Sequence, residues 1–269
     1  GYSRPVPNVC PHCGGPLKRV GVGIQKVEQE LHDRFPGIRV ERMDADTVTA
    51  ANTHEAILDR FRREKIPVLL GTQMVAKGLN LPNVTLVGVL DGDMSLYAGS
   101  FRAAETTFDL LTQVVGRAGR GKAEGRAILQ TMVPEHPVIR LAAMQDYDGF
   151  YDLESRLRQV QSLPPFGDCC QVTFSGPEEQ RVLRAAAAYR ASLCAILAGA
   201  DYQEEKCTVL GPAPCPVPKI NFQYRYRLTL RCRLDRKMRL LVAHLLRQAS
   251  QDKQNRGVSV YADANALDE

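Results

Sequence analysis

The sequence predicts an α/β protein: a lobe built on a parallel β-sheet, followed by a smaller α+β domain. Three observations carry this prediction. Between residues 38 and 145, short apolar strands alternate with amphipathic helical patterns, the order of a parallel sheet covered on both faces. Leu163-Pro-Pro-Phe166 then interrupts the pattern. Beyond it, residues 224–234 alternate apolar and polar over the whole stretch, the mark of a half-buried strand.

The chain has 269 residues, is 44% hydrophobic and 24% charged, and has a mean hydropathy of -0.23. That is enough for one large or two medium domains. No apolar run reaches membrane-spanning length and no signal-peptide pattern opens the sequence, so no membrane partner is expected. Eight unevenly placed cysteines do not form a secreted disulfide framework, and a reducing cytoplasm fits them better. The formal charge is +5. Residues 163–269 hold 15 Lys+Arg against 11 Asp+Glu, whereas residues 1–162 hold 20 against 19. The positive excess is C-terminal, which points to nucleic acid or an acidic peptide as a partner.

In chain order, Cys10-Pro-His-Cys13 comes first. A C-x-x-C pair supplies two thiolates at the spacing of a tetrahedral zinc site, but zinc needs four ligands and no second such pair occurs. A pair without metal is the competing reading. The remaining cysteines read as small buried or surface residues. Ile24, Val27, Leu31 and Phe35 recur at helical spacing until Pro36-Gly37 stops them. Residues 38–43 alternate as a strand, with Asp44-Ala-Asp46-Thr47 at its end. A helix follows at 53–64, for which Thr53 is a natural N-cap.

Val68-Leu-Leu-Gly71 reads as a buried strand, followed by Thr72-Gln73, a short helix through Lys77-Gly78, a loop at Asn80-Leu-Pro82 and a second strand at 85–91. Ligands of open parallel sheets bind at the carboxyl ends of strands, where Thr72 and Gln73 stand. Phe101, Phe108, Leu111 and Val115 then recur at helical spacing, and the segment closes on Gln113-Val-Val-Gly-Arg-Ala-Gly-Arg120. Glycines beside paired arginines let a ligand approach closely, and the guanidinium forks of Arg117 and Arg120 suit phosphate oxygens. Taken alone, the pair reads as well as two solvated charges at the negative end of a helix. Residues 125–132 predict a strand, 134–144 a helix, and 146–160 a second helix carrying Phe150, Leu153, Leu157 and Val160.

The C-terminal part predicts a strand at 168–175, a helix at 178–198, a short strand at 207–210 and a Pro-rich loop, Gly211–Pro218. A long strand at 224–234, a helix at 236–250 and a last strand near 258–261 complete it. The long strand puts Tyr224, Tyr226, Leu228, Leu230, Cys232 and Leu234 on one face and Arg225, Arg227, Thr229, Arg231 and Arg233 on the other. Same-face neighbours lie about 7 Å apart, so four arginines in a row call for carboxylates or an anionic partner. Residues 219–239 hold eight Lys+Arg, beginning at Lys219, and one acid, Asp235. The row is expected to be a binding surface on a wet face.

Together these segments resemble a known family. GTQMVAKG and QVVGRAGR are similar to motifs V and VI of superfamily 2 helicases. GVGIQKVEQEL, MDADTV, FRAAETTFDLLTQVVGRAGRG, SLPPF and VLGPAPCPVPK, in that order, resemble the PriA family of replication-restart helicases over nearly the whole chain. The resemblance implies four segments. These are a remnant of a zinc-binding module at 1–17, a RecA-like second helicase lobe at 18–145, a linker helix at 146–162 and an S10-like DNA- and partner-binding domain at 163–269. It implies Arg120 as the finger on the nucleotide γ-phosphate, Arg117 as a second phosphate or interlobe contact and Gln113 as a polar positioner, with Gly78 and Asn80 beside the nucleotide. Thr47, Thr72, Gln73 and Lys77 would face the DNA strand, together with Lys219 and the arginine row. An acidic N-cap role is the equal alternative for the loop at Thr47. Cys10 and Cys13 would belong to a module holding two zinc ions.

The implied cofactors of the complete protein are ATP and Mg, besides zinc. The implied partners are forked and single-stranded DNA, the acidic tail of single-stranded DNA-binding protein, other primosome proteins and the replicative helicase loader. The implied place is the bacterial cytoplasm, at the nucleoid.

Neither a G-x-x-x-x-G-K-[ST] loop nor a D-E-x-H box occurs in these residues, so this chain alone is not expected to hydrolyse ATP. The sequence also departs from the family pattern. Leu79-Asn80-Leu81 stands where the family usually has His-Asp-Phe, Ile24-Gln25 where it has Thr-Glu, and Ser100 and Thr106 replace polar partners around the FRAxER segment. A parent protein that assembles the primosome with weak or lost ATPase is therefore the alternative reading. A metabolic dinucleotide enzyme is disfavoured, because no G-x-G-x-x-G follows a strand.

Overall fold

The computed structural model describes Val9 and residues 14–15, 23–44, 47–48, 53–72, 84–116 and 125–264. The chain forms two compact units. Most of the first (residues 13–98 and 102–151) is the predicted α/β lobe, and most of the second (residues 152–269) is the predicted α+β domain.

In the α/β unit, helix α1 (Ile24–Arg34) precedes strand β1 (Val40–Met43). Helix α2 (His54–Arg63) then leads to β2 (Val68–Gly71), which pairs in parallel with β1. Thr53 caps α2, its hydroxyl accepting from the Ala56 amide at 3.3 Å. The apolar face of α2 buries Ile57 and Leu58 against Met43. Helix α1 is weaker than its sequence pattern predicts, for none of its residues is buried and Phe35 is exposed.

Strand β3 (Leu86–Val89) and β4 (Arg126–Leu129) form a second parallel pair, with α3 (Ala103–Val115) between them in sequence. Among the described residues the two pairs are separate ladders rather than one continuous sheet. Phe108 and Leu111 of α3 are buried against Val138, Ile139 and Ala142 of α4 (Pro137–Met144) and Phe150 of α5 (Tyr147–Val160). Helix α4 starts three residues later than the sequence suggests. Pro137 occupies the first turn, where a missing amide costs nothing, and His136 caps it by accepting from the Val138 amide at 3.3 Å.

The second unit is one antiparallel sheet in the order β6-β7-β5-β8. Its strands are β5 (Asp168–Gly176), β6 (Thr208–Ile220), β7 (Gln223–Cys232) and β8 (Ser259–Ala264). Helices α6 (Glu179–Leu197) and α7 (Arg236–Gln251) bury Val182, Tyr189, Leu193, Met238 and Leu245 in one core with Val172, Phe174, Leu228 and Leu230 of the sheet. Asp235 caps α7 by accepting from the Met238 amide at 2.8 Å.

The predicted Pro-rich loop is instead the middle of β6. Bulges between Leu210 and Ala213 and between Pro214 and Lys219 let it follow β7. Prolines at 212, 214, 216 and 218 are tolerated because β6 lies at the sheet edge, where alternate residues have no ladder partner for an amide to reach. Gly211 is required at the first bulge. Its φ is 97°, and a Cβ there would lie 2.7 Å from the Arg227 carbonyl oxygen.

Candidate functional site

In the α/β unit, the parallel register Met43↔Gly71 brings the carboxyl ends of β1 and β2 together. Thr72 is exposed at that end, as the sequence predicts. The loop after β1 is held by charge. Asp44 is buried, with its carboxylate accepting from Arg42 Nη2 at 2.6 Å and from the Thr47 amide at 2.9 Å. Burial raises the Asp44 pKa, but these donors outweigh it and hold the group below the ordinary carboxylate range. Arg42 also reaches Glu28 of α1 at 3.1 Å.

The Thr47 hydroxyl turns into this loop. It accepts from the Asp44 amide at 2.9 Å and donates toward the Asp44 carbonyl at 3.1 Å. That is an Asp–Thr turn of the chain upon itself. Behind it, Arg60 of α2 grips the buried Glu41 of β1 with Nε at 3.1 and 3.2 Å from the two carboxylate oxygens. Neither Glu41 nor Arg42 stands out in the sequence as part of the site, because alternate charges on a short strand look solvated until α1 and α2 pack on it.

Gln113 is exposed on the last turn of α3, whose end is the described Gly116. A Cβ at Gly116 would press within 3.2 Å of the Thr112 carbonyl and 3.3 Å of the Gln145 amide. The helix end therefore lies close to the Gln145 side chain at the end of α4. Phe108 anchors the helix by stacking on Phe150, with centroids 4.1 Å apart and planes 8° from parallel. Arg117, Arg120, Gln73, Lys77, Gly78, Asn80, Cys10 and Cys13 lie outside the described residues.

In the second unit the alternation of β7 is as predicted on its apolar side, where Leu228, Leu230 and Cys232 are buried. The arginine side differs from the expected wet face. Arg225, Arg227 and Arg231 are only half-exposed, while Arg233 lies past the strand end and is exposed. The reason is that β7 is an inner strand, with β5 opposite it in register. Arg227 faces Thr173 and Arg231 faces Cys169, and both partners are buried. Arg227 Nη1 donates to Gln171 Oε1 at 3.2 Å, and Arg231 Nε is buried with no hydrogen-bond partner among the described residues. Lys219 is exposed at the end of β6, its Nζ 4.1 Å from the Tyr224 ring centroid.

Cys169, Cys170, Cys215 and Cys232 are buried, Cys207 is half-buried and Cys194 exposed. Burial pushes the Cys170 thiol up to about 11, so it is a packing residue rather than a nucleophile. Among the described residues, no group of three or more His, Cys, Asp or Glu could hold a metal ion. An apolar cavity of about 380 Å³ between α7 and β8 is lined by Leu234, Val242, Leu246 and Ala262, with Arg239 in its wall.

Comparison with known proteins places these features. Residues 20–122 match the helicase conserved C-terminal domain, and residues 159–265 match the primosomal protein N C-terminal domain. The first defines the α/β unit as a RecA-like helicase lobe. The chain is 40% identical over 266 residues to the replication restart protein PriA of Bacillus subtilis, which covers 98% of this chain and 32% of that protein. It is 40% identical over 226 residues to PriA of a Synechocystis strain, covering 84% of this chain and 26% of the relative. It is 42% identical over 175 residues to PriA of Chlamydia pneumoniae, covering 64% of this chain and 23% of the relative. The chain belongs to the PriA family, and spans about a quarter to a third of the length of these relatives.

Proposed function

We propose that this chain is the C-terminal part of an ATP-dependent DNA helicase that recognises stalled or forked DNA and starts primosome assembly in replication restart. The observation that carries the reading is the order of parts: a helicase lobe whose α3 runs through Gln113 into the Arg117–Arg120 motif, followed by a domain that belongs to replication restart proteins. Arg120 is assigned as the γ-phosphate finger, Arg117 as a second phosphate or interlobe contact and Gln113 as the positioner, with Gly78 and Asn80 beside the nucleotide. ATP and Mg supply the phosphoryl chemistry when bound. These residues orient the phosphates and neutralise charge, and the phosphate-binding loop would come from outside this chain.

Thr72 at the strand end tracks DNA together with Gln73 and Lys77, and Thr47 shapes the neighbouring loop with its backbone amide and hydroxyl. Lys219 and Arg225, Arg227, Arg231 and Arg233 give the second unit a cationic surface for forked or single-stranded DNA. The apolar cavity beside Arg239 suits an acidic tail that ends in an apolar residue, the chemistry of the single-stranded DNA-binding protein tail. Primosome proteins and a helicase loader are the further partners, in a bacterial cytoplasm at the nucleoid. The domain limits that go with this reading are 1–17, 18–145, 146–162 and 163–269. Cys10 and Cys13 supply two ligands of a two-zinc module.

The test is Arg120→Ala in a full-length parent. DNA-stimulated ATPase should fall by about 10³–10⁵, and Arg120→Lys should not rescue it, because a point charge does not replace a planar fork. Wild-type turnover in Arg120→Ala removes the finger assignment. A wild-type parent without DNA-stimulated ATPase favours the second reading, a non-catalytic primosome-assembly protein, which the replaced polar residues at Leu79-Asn80-Leu81 support.

A further inference from the structure

The β6–β7 hairpin closes through Asn221 and Phe222, with φ of 48° and 63°. Two central residues at positive φ are what a two-residue type I′ hairpin turn requires. Asparagine suits that region, whereas a bulky aromatic residue is rare there. Phe222 nonetheless occupies it with 77% of its surface exposed. That exposure leaves most of the ring uncovered among the described residues.

The residues of the hairpin itself are chemically one-sided. From Thr208 to Leu234 the hairpin and the residues after it carry Lys219, Arg225, Arg227, Arg231 and Arg233 and no carboxylate. In the antiparallel register Lys219 stands opposite Tyr224, and its ammonium lies over the Tyr224 ring at 4.1 Å. The tip thus presents an open aromatic ring three residues along the chain from a positioned cation. An aromatic face that takes a base, with a neighbouring cation for the phosphate, is how proteins hold single strands without reading sequence.

We propose that Phe222 stacks on an unpaired base of single-stranded DNA, with Lys219 on an adjacent phosphate. The proposal rests on the DNA-binding reading of this domain and adds a contact by a residue outside the arginine row. The hairpin tip becomes the point at which the domain distinguishes an unpaired strand from a duplex, because bases stacked within a duplex leave no face for the ring.

The chain contains no tryptophan, so Phe222→Trp introduces a unique emission probe at the tip. Emission should be quenched by a single-stranded oligonucleotide and far less by a blunt duplex of the same sequence. Phe222→Asn keeps the turn, since asparagine tolerates positive φ, and removes the ring. It should weaken single-strand binding about 5- to 150-fold, the span of one base–aromatic stack, with an unchanged salt slope. Lys219→Ala should flatten the log–log salt slope by about 0.7. If the wild type binds the oligonucleotide in a salt-dependent way while Phe222→Asn binds equally well and the tryptophan is unquenched, the tip does not stack and its ring serves a protein partner. Equal quenching by duplex also overturns the proposal. A wild type that binds no single strand overturns the DNA-binding reading itself.

Discussion

Phe108→Ala is the sharpest probe of the helicase lobe. Phe108 is 2% exposed and sits in the cluster of Leu111, Val138, Ile139, Ala142 and Phe150. Deleting a buried phenylalanine ring costs about 3–5 kcal/mol through lost transfer energy and the cavity left behind. The parallel stack on Phe150 places this site in the upper half of that span, because an aromatic pair contributes about 0.5–1.5 kcal/mol beyond its area. With an expected loss of about 4 kcal/mol and a shift of about 2–4 °C per kcal/mol for a domain of this size class, the lobe should melt about 8–16 °C lower. Phe108→Leu keeps most of the volume and should cost much less. Urea titrations followed by circular dichroism give the free energies, and calorimetry separates the lobe from the other unit. A loss below about 1 kcal/mol for Phe108→Ala would refute the argument that α3 is anchored through this ring.

Two further predictions concern charge and metal. Asp44 has a folded-state pKa below its ordinary value, so it contributes stability above about pH 4 that is lost as pH falls through the folded pKa. Asp44→Asn should destabilise the lobe by about 1–3 kcal/mol at pH 7 and show a shallower loss than wild type between pH 5 and about pH 2; parallel acid profiles would show the assignment to be wrong. Cys10 and Cys13 should bind zinc in the full-length parent but not hold it in this chain through dialysis against a chelator, since two thiolates make half of a tetrahedral site. Stoichiometric zinc retained by the chain would place the missing ligands within it.

Much of the fold was legible because periodicity and burial agree. Leu228, Leu230 and Cys232 are buried as their spacing predicts, and α6 and α7 lie within a residue or two of their expected limits. What escaped depended on neighbours far away in sequence. Prolines at 212–218 read as a loop, because nothing local says that β6 is an edge strand with bulges. The arginines of β7 read as wet, because alternation reveals a second face but not the flanking strands that half-cover it. Thr47 reads equally as a DNA contact or as part of an acidic cap, and its hydroxyl lies within the Asp44 turn, a pairing that only the folded loop reveals. The helicase motifs themselves were visible as residue order. The part played by Phe222 was not, since a single exposed ring acquires meaning only from the positive φ that holds it at the tip.

The proline pattern of β6 also bears on how this domain meets other chains. A sheet edge normally offers amides and carbonyls in equal number, which makes it a template for a further strand. Four prolines within seven residues remove four amide donors from that stretch while leaving its acceptors, so an incoming strand would find ladder steps incomplete there. Strand addition is disfavoured along residues 212–218 of this edge. Recognition along this stretch is left to side chains and the hairpin tip, and the prolines keep one copy of the sheet from extending into another there.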